Sequence, residues 1–199
     1  MKKFISFIVL AFFSFCIQAA DFKEGTHYTV LKAPHSKSQT VTEYFSFYCP
    51  HCFQFESVVK GLKAKLPKSA KFEKVHVAFM GRNMAVPKAK AYATMVALDI
   101  EDKMVPVMFK QLHQLRNPPK TEQDLRQIFI DNGVKAEKYD AMYNSFIVNS
   151  MQRKFDKQFN NSTLTGVPGV IVNNKYIVKS ESIKTPEQYS DLVNYLLTL

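Results

Sequence analysis

A pair of cysteines stands where a predicted strand meets a predicted helix. Residues 41–48 form a β-branched and aromatic run that predicts a buried strand, and Cys49-Pro50-His51-Cys52 follows it directly. Pro50 suits the first turn of a helix, and apolar residues then recur at helical spacing as far as Leu66. The chain must therefore turn from strand to helix at Cys49, which puts this residue at a helix N-terminus.

The rest of the chain predicts an α/β protein whose strands are interrupted by a block of helices. A second strand is expected over residues 72–79, and residues 81 to about 159 are helical in character. Within that block Thr121-Glu-Gln-Asp124 resembles a capping box, and one long last helix is expected to carry residues 139–146. A hairpin follows over residues 169–172 and 176–178, and Thr185-Pro186 opens a final helix.

Residues 1–19 have the organisation of a secretory signal peptide. Lys2 and Lys3 precede an apolar stretch over residues 4–17, and small residues end it at Ala19 and Ala20. A membrane anchor needs about 20 apolar residues, so cleavage is favoured, after Ala19 or after Ala20. Cleavage would remove Cys16, and the two lost lysines would lower the net charge from +10 to +8. The basic residues are spread along the chain, which favours a solvated surface over a nucleic-acid site.

Cys49 and Cys52 would then be the only cysteines of the mature chain, and their spacing points to redox chemistry. A chain of 199 residues can bury a core without disulfide staples. A disulfide that closes over two intervening residues removes little chain entropy, so it would stabilise the fold poorly. A structural zinc site needs about four ligands, and no second ligand pair is present. We therefore expect thiol–disulfide exchange with no metal and no organic cofactor.

The position of each cysteine predicts its role. Backbone N–H groups and the helix dipole stabilise an anion at the helix N-terminus, so Cys49 is the expected nucleophile. Cys52 lies nearly one turn inside the helix, where a resolving thiol belongs, and Cys49 and Cys52 would form the redox disulfide. His51 can offer a hydrogen bond or a positive charge to the Cys49 thiolate. Stabilising the thiolate stabilises the reduced form and makes the disulfide a stronger oxidant.

A proline near the end of the chain belongs to the same expected site. Pro168, in Thr165-Gly-Val-Pro-Gly169, stands just before a hairpin strand, where a plain strand would not tolerate it. The residues alone leave a cis bond and an ordinary loop proline equally open. A cis bond would expose the Val167 backbone to an extended substrate segment.

Three parts of the chain together resemble the DsbA family of periplasmic thiol:disulfide oxidoreductases, of the gamma-proteobacterial type. These are the run Phe45 to Glu56, Gly166-Val167-Pro168 before the hairpin, and the helical block between them. The resemblance implies a thioredoxin fold interrupted by an inserted all-helical domain. Residues 20–79 and 156–199 would form the thioredoxin-like domain, and residues 80–155 the insertion. It also implies that Pro168 is cis.

The family's activity gives the functional expectation. Its members donate a disulfide to newly exported proteins with free cysteines, and a quinone-linked inner-membrane protein, DsbB, reoxidises them. The resemblance implies the periplasm of a Gram-negative bacterium, and we expect a monomer. A disulfide isomerase or reductase of the same fold is the main alternative, and a chaperone that needs no cysteines is a weaker one.

Three charged residues match the family's charged group beneath the site: Glu43, Glu56 and Lys74. They would either tune the protonation of Cys52 or form an ion pair without effect on rate. Two residues depart from the family pattern near the expected peptide groove. Arg82 stands where many members have glycine, and Gly169 stands where a larger residue is common.

Overall fold

The chain forms one five-stranded mixed sheet with helices on both of its faces. The structure, a computed structural model, describes residues 22–199. The predicted signal peptide, residues 1–19, lies outside the described residues. The strands are β1 (Tyr28–Val30), β2 (Thr40–Phe45), β3 (Lys71–His76), β4 (Gly169–Val172) and β5 (Tyr176–Val178), in the spatial order β1-β5-β4-β2-β3.

Strand β2 pairs with one strand that is near in sequence and with one that is distant. β2 and β3 run parallel and are joined by α1 (Pro50–Lys65), whereas β4 returns from the far end of the chain to pair antiparallel with β2. This register sets Glu43 opposite Lys74 on one side and Val170 on the other. Residues from both ends of the chain therefore meet around the start of α1.

The helical block lies between β3 and β4. It consists of α2 (Ala85–Ala97), α3 (Glu101–Phe109), α4 (Glu122–Asp131), α5 (Ala136–Tyr143) and α6 (Phe146–Asn161), with a π-helical turn over Lys110–Gln114. The chain ends with α7 (Pro186–Thr198). The boundary predicted at residue 156 lies inside α6, and the division into domains stays a prediction.

Two apolar clusters stabilise this arrangement from opposite faces of the sheet. Alternate residues of a strand point to opposite faces, so Val170 and Val172 pack with α7 while Ile171 packs with the helical block. Glu43 shares the face of Val41, the α7 side. It is therefore a carboxylate on a strand face that is otherwise apolar.

Several predicted elements differ in extent from the observed ones. β2 ends at Phe45 rather than at residue 48, because residues 46–48 form the turn that delivers Cys49 to the helix. The single long helix predicted over residues 139–146 was wrong: the chain breaks at Asn144, and Ser145 caps a new helix by accepting a hydrogen bond from Val148 N. β1 was not predicted, since three residues carry too little periodicity.

The predictions that rested on local capping and turn chemistry were confirmed. Thr121 and Asp124 form a reciprocal capping box at the start of α4. The hairpin turns at Asn173 and Asn174, both in the left-handed conformation that asparagine tolerates.

Candidate active site

Cys49 caps the N-terminus of α1, as the strand-to-helix junction predicted. Its backbone is extended, and its sulfur accepts a hydrogen bond from the backbone N–H of Cys52 at 3.1 Å. The first turn of α1 contains no acidic residue. An anion on the Cys49 sulfur is therefore stabilised by a backbone donor and by the helix dipole, without an opposing carboxylate in that turn.

The surroundings of Cys52 favour its neutral thiol. Both cysteines are free thiols in this structure, and both are buried, Cys52 fully and Cys49 with 3 % of its surface exposed. Burial, followed by the hydrogen bond with Cys49, raises the pKa of Cys52, and a backbone hydrogen bond with Ser46 opposes this only in part. Cys52 is therefore held as a neutral thiol.

The Val167–Pro168 peptide bond is cis, as the resemblance implies. The Val167 carbonyl lies beside Cys49, whose thiol donates to Val167 O over 3.5 Å. Val167 and Pro168 are half-buried, so this backbone borders the surface beside Cys49. The structure thus brings together Cys49, Cys52, Val167 and Pro168.

His51 and Pro50, the residues between the cysteines, are exposed. No hydrogen bond joins His51 to Cys49 within residues 22–199, so the contact expected for His51 is not made in this state. Any effect of His51 on the thiolate in this arrangement acts through space.

The turn before Cys49 is fixed by a set of hydrogen bonds that the sequence did not reveal. Cys49 N donates to Ser46 O at 3.0 Å, and Tyr48 N donates to Ser46 Oγ at 3.2 Å. Phe47 N donates to His76 Nε2 at 3.1 Å, and Phe47 O lies 2.8 Å from His113 Nε2. Burial, assisted by the charge of Lys88, lowers the pKa of His76 to about 3, so this ring is neutral and can accept.

The three predicted charged residues form one cluster, in which Glu43 is buried and Lys74 and Glu56 are partly buried. Lys74 Nζ lies 3.0 Å from Glu43 Oε2 and 2.5 Å from Glu56 Oε1. Glu43 is completely buried, and burial raises its pKa to about 7 even though the Lys74 ammonium acts in the opposite direction. The charge of Glu43 also contributes to the raised pKa of Cys52. A carboxyl with a pKa of about 7 therefore interacts with the Cys52 thiol.

The segment that follows β3 contains an exposed aromatic ring and a tightly packed glycine. The side chain of Phe79 is 54 % exposed and stacks on Phe159. Gly81 adopts φ 104°, and a Cβ there would lie 2.3 Å from the Tyr48 ring. Arg82, which departs from the family pattern, also has positive φ, at 51°, the conformation that glycine adopts most easily.

Gly169, the second residue that departs from the family pattern, packs closely against Leu164. A Cβ added at Gly169 would lie 2.8 Å from Leu164, whose side chain fills the space that a larger residue would need. Leu164 lies in the loop before the cis bond, so a residue at 169 and one at 164 share one volume.

Lys88, which the sequence did not single out, contacts Tyr48 in the turn before Cys49. Lys88 of α2 is fully buried, with its Nζ 4.0 Å from the centroid of the Tyr48 ring and 3.4 Å from Pro119 O. Burial lowers its pKa to about 8. No sequence signal distinguished it from the exposed lysines of the chain.

Residues 22–199 contain neither a membrane-spanning helix nor a cluster of metal-binding side chains. No helix in that range is both long and apolar enough to span a bilayer. No group of three or more His, Cys, Asp or Glu side chains in that range is arranged to hold a metal ion.

Comparison with known proteins gives a consistent result. The DSBA-like thioredoxin domain matches residues 40–190. The thiol:disulfide interchange protein DsbA of Dickeya dadantii is 40% identical, with 100% of this chain and 99% of the relative covered. The Escherichia coli K12 protein of the same name is 36% identical, with 98% of each chain covered.

Solved structures agree with the sequence comparison. A DsbA variant from Proteus mirabilis with a non-covalently bound peptide, PWATCDS, has a TM-score of 0.85 and 35% identity, covering 90% of this chain and 100% of that one. The disulfide oxidoreductase DsbA of the same organism has a TM-score of 0.82 and 37% identity, covering 90% and 98%.

Proposed function

Since the chain belongs to the DSBA-like thioredoxin family and is a protein disulfide oxidoreductase with the DsbA fold, we propose that it donates a disulfide to newly exported proteins. One observation supports donation of a disulfide rather than its reduction: at the N-terminus of α1, Cys52 N–H donates to Cys49 Sγ at 3.1 Å. Since this donor stabilises the Cys49 thiolate, it favours the reduced form and makes the disulfide form oxidising.

The reaction runs through a mixed disulfide at Cys49. A substrate thiolate attacks the Cys49 sulfur of the Cys49–Cys52 disulfide, the S–S bond breaks, and Cys52 leaves as a thiolate that takes up a proton. A second substrate thiolate then attacks the substrate sulfur of the mixed disulfide, and Cys49 leaves as a thiolate. Two electrons pass from the substrate pair to the protein.

The buried charges suit the proton step. The raised pKa of Cys52 means that its thiolate accepts a proton readily once it is released. Glu43, with a pKa of about 7, can hold a proton at neutral pH and exchange it. We assign Glu43, Glu56 and Lys74 to the control of Cys52 protonation.

An exported, unfolded segment with a free cysteine is the proposed substrate. The Val167 backbone and Pro168 would hold it in extended form beside Cys49, and the exposed Phe79 would contact its apolar side chains. The peptide bound to the Proteus mirabilis variant supports this substrate class.

The proposal also includes the protein's location, its oligomeric state and its reoxidation. Export by a cleaved signal peptide would place the protein in the periplasm of a Gram-negative bacterium, as a monomer. A DsbB-like quinone-linked membrane protein would reoxidise the dithiol. This can be tested by adding membranes that contain such a protein and following the return of the Cys49–Cys52 disulfide.

The test of the main activity mixes the oxidised mature protein with a reduced, unfolded protein and follows disulfide formation in the latter. Disulfides should form one for one as the dithiol appears, and Cys49→Ser should form none. Faster rearrangement of scrambled disulfides than oxidation of thiols would favour an isomerase. Full protection of the unfolded protein by Cys49→Ser would favour a chaperone.

A further inference from the structure

The turn Ser46–Tyr48 is held by two histidines that come from different parts of the fold. His76 belongs to β3, and His113 belongs to the π-helical turn that follows α3. Both reach the same residue: His76 accepts from Phe47 N at 3.1 Å, and His113 lies 2.8 Å from Phe47 O. Since a carbonyl oxygen only accepts, His113 Nε2 carries the proton and donates.

These contacts complete the hydrogen bonding of two successive peptide units. In the Ser46–Phe47 unit, the N–H binds His76 and the carbonyl accepts from Cys49 N. In the Phe47–Tyr48 unit, the carbonyl binds His113 and the N–H binds Ser46 Oγ. The orientation of both planes is thereby fixed immediately before the nucleophile.

The two histidines differ in what else holds them. His76 is completely buried, and its ring contacts Phe45 and Phe47. His113 is half-buried and stacks on Phe53 with a centroid distance of 5.3 Å and an interplanar angle of 10°. Phe53 N in turn donates to Cys49 O at 3.1 Å. His113 therefore contacts the first turn of α1 as well as the turn before it.

We propose that His113 is a positioning residue for the nucleophile: by donating to Phe47 O, it holds the turn that aligns Cys49 with the N–H groups of α1. The proposal rests on the proposed function, because it concerns how strongly the thiolate of that site is stabilised. Without the donor, the Phe47 carbonyl loses its partner at a partly buried position, and the Phe47–Tyr48 plane is held only by the hydrogen bond from Tyr48 N to Ser46 Oγ. The alignment of Cys52 N–H with Cys49 Sγ then weakens.

The test separates the hydrogen bond from the ring stack with matched variants. His113→Phe keeps an aromatic ring against Phe53 and removes the donor, while His113→Gln keeps a donor and removes the ring. Gln114 is exposed and lies next to His113 in the π-helical turn, so Gln114→Ala is the control. For each protein the equilibrium constant with glutathione at pH 7 is measured, together with the pH dependence of Cys49 alkylation and the urea denaturation of both redox forms.

His113→Phe should move the glutathione equilibrium toward the disulfide form by about threefold to tenfold, the range spanned by one hydrogen bond of ordinary strength. The alkylation profile of Cys49 should move to higher pH in the same variant, and His113→Gln should restore both. A purely structural role would lower stability in both redox forms equally and leave the equilibrium unchanged. That result, or a wild-type value for His113→Phe with a shifted value for His113→Gln, would overturn the proposal.

A failure of the proposed function would look different. The wild-type protein would itself show a weakly oxidising equilibrium, while the comparison between the His113 variants would still report on positioning.

Discussion

Replacing Glu43 by glutamine tests the buried charge cluster through the pH dependence of stability. The carboxyl is completely buried and its pKa is raised from 4.5 to about 7. Below pH 4.5 it is protonated in both the folded and the unfolded protein. As the pH rises from 4.5 to about 7, the unfolded carboxyl releases its proton while the folded one keeps it, so the wild-type protein loses stability.

The size of this loss follows from the shift. A difference of about 2.5 pKa units corresponds to about 3 kcal/mol in the free energy of unfolding. Glutamine does not titrate and has nearly the same shape. The unfolding free energy of Glu43→Gln minus that of the wild type should therefore increase by about 3 kcal/mol between pH 4 and pH 8.

The assay is urea denaturation of the reduced proteins at several pH values, with the difference taken at each pH so that groups common to both proteins cancel. Glu56→Gln is a useful comparison, because Glu56 binds the same Lys74 from a more exposed position. A difference between Glu43→Gln and wild type that stays constant with pH would refute the raised pKa. A difference that decreases with pH would show that Lys74 dominates burial and lowers the pKa instead.

Further variants test three other features of the structure. Cys52→Ser keeps the Cys49 thiolate but lacks the resolving thiol. With oxidised glutathione as the oxidant, a mixed disulfide between Cys49 and a reduced substrate should accumulate on a non-reducing gel as two glutathione thiolates are released, whereas Cys49→Ser should form none. Gly81→Ala puts a Cβ 2.3 Å from the Tyr48 ring at φ 104° and should lower the free energy of unfolding by about 2 kcal/mol; Arg82→Gly, at φ 51°, should be neutral or stabilising in the same urea titration. Lys88→Met removes a buried ammonium group and should be more stable than wild type at pH 7. That gain should shrink between pH 8 and 10.5, where the folded wild-type amine is already neutral and the unfolded one still binds its proton.

The sequence was informative where local chemistry decides structure. The strand-to-helix junction, the placement of Cys49 at the start of α1, the capping box at Thr121 and the hairpin turn each depend on a few adjacent residues. These local patterns predict structure reliably because the free backbone N–H and C=O groups at helix ends and turns need hydrogen-bond partners in any fold.

What the sequence did not reveal depends on contacts between distant residues. His113 meets Phe47 across 66 positions, and only the π-helical turn after α3 brings its ring there. His76 follows a valine in an ordinary-looking strand, and nothing in that pattern shows that Phe47 N is its partner. The burial of Lys88 was likewise invisible, since its helix reads as a stretch of alanines and lysines.

The break between α5 and α6 has a different cause. Apolar residues continue at helical spacing across residues 139–146, so periodicity favours one helix. Ser145 competes for the backbone by accepting from Val148 N, and this cap starts a new helix instead. The apolar periodicity continues across residues 139–146, but the hydrogen bond that Ser145 accepts decides where α6 begins.

The central claim is that the fold stabilises the reduced Cys49 thiolate, and the equilibrium constant of the Cys49/Cys52 pair with glutathione at pH 7 tests it most directly. We expect a strongly oxidising pair whose dithiol form resists urea better than its disulfide form. An equilibrium constant close to that of a cytosolic thioredoxin, with the disulfide form the more stable, would contradict it.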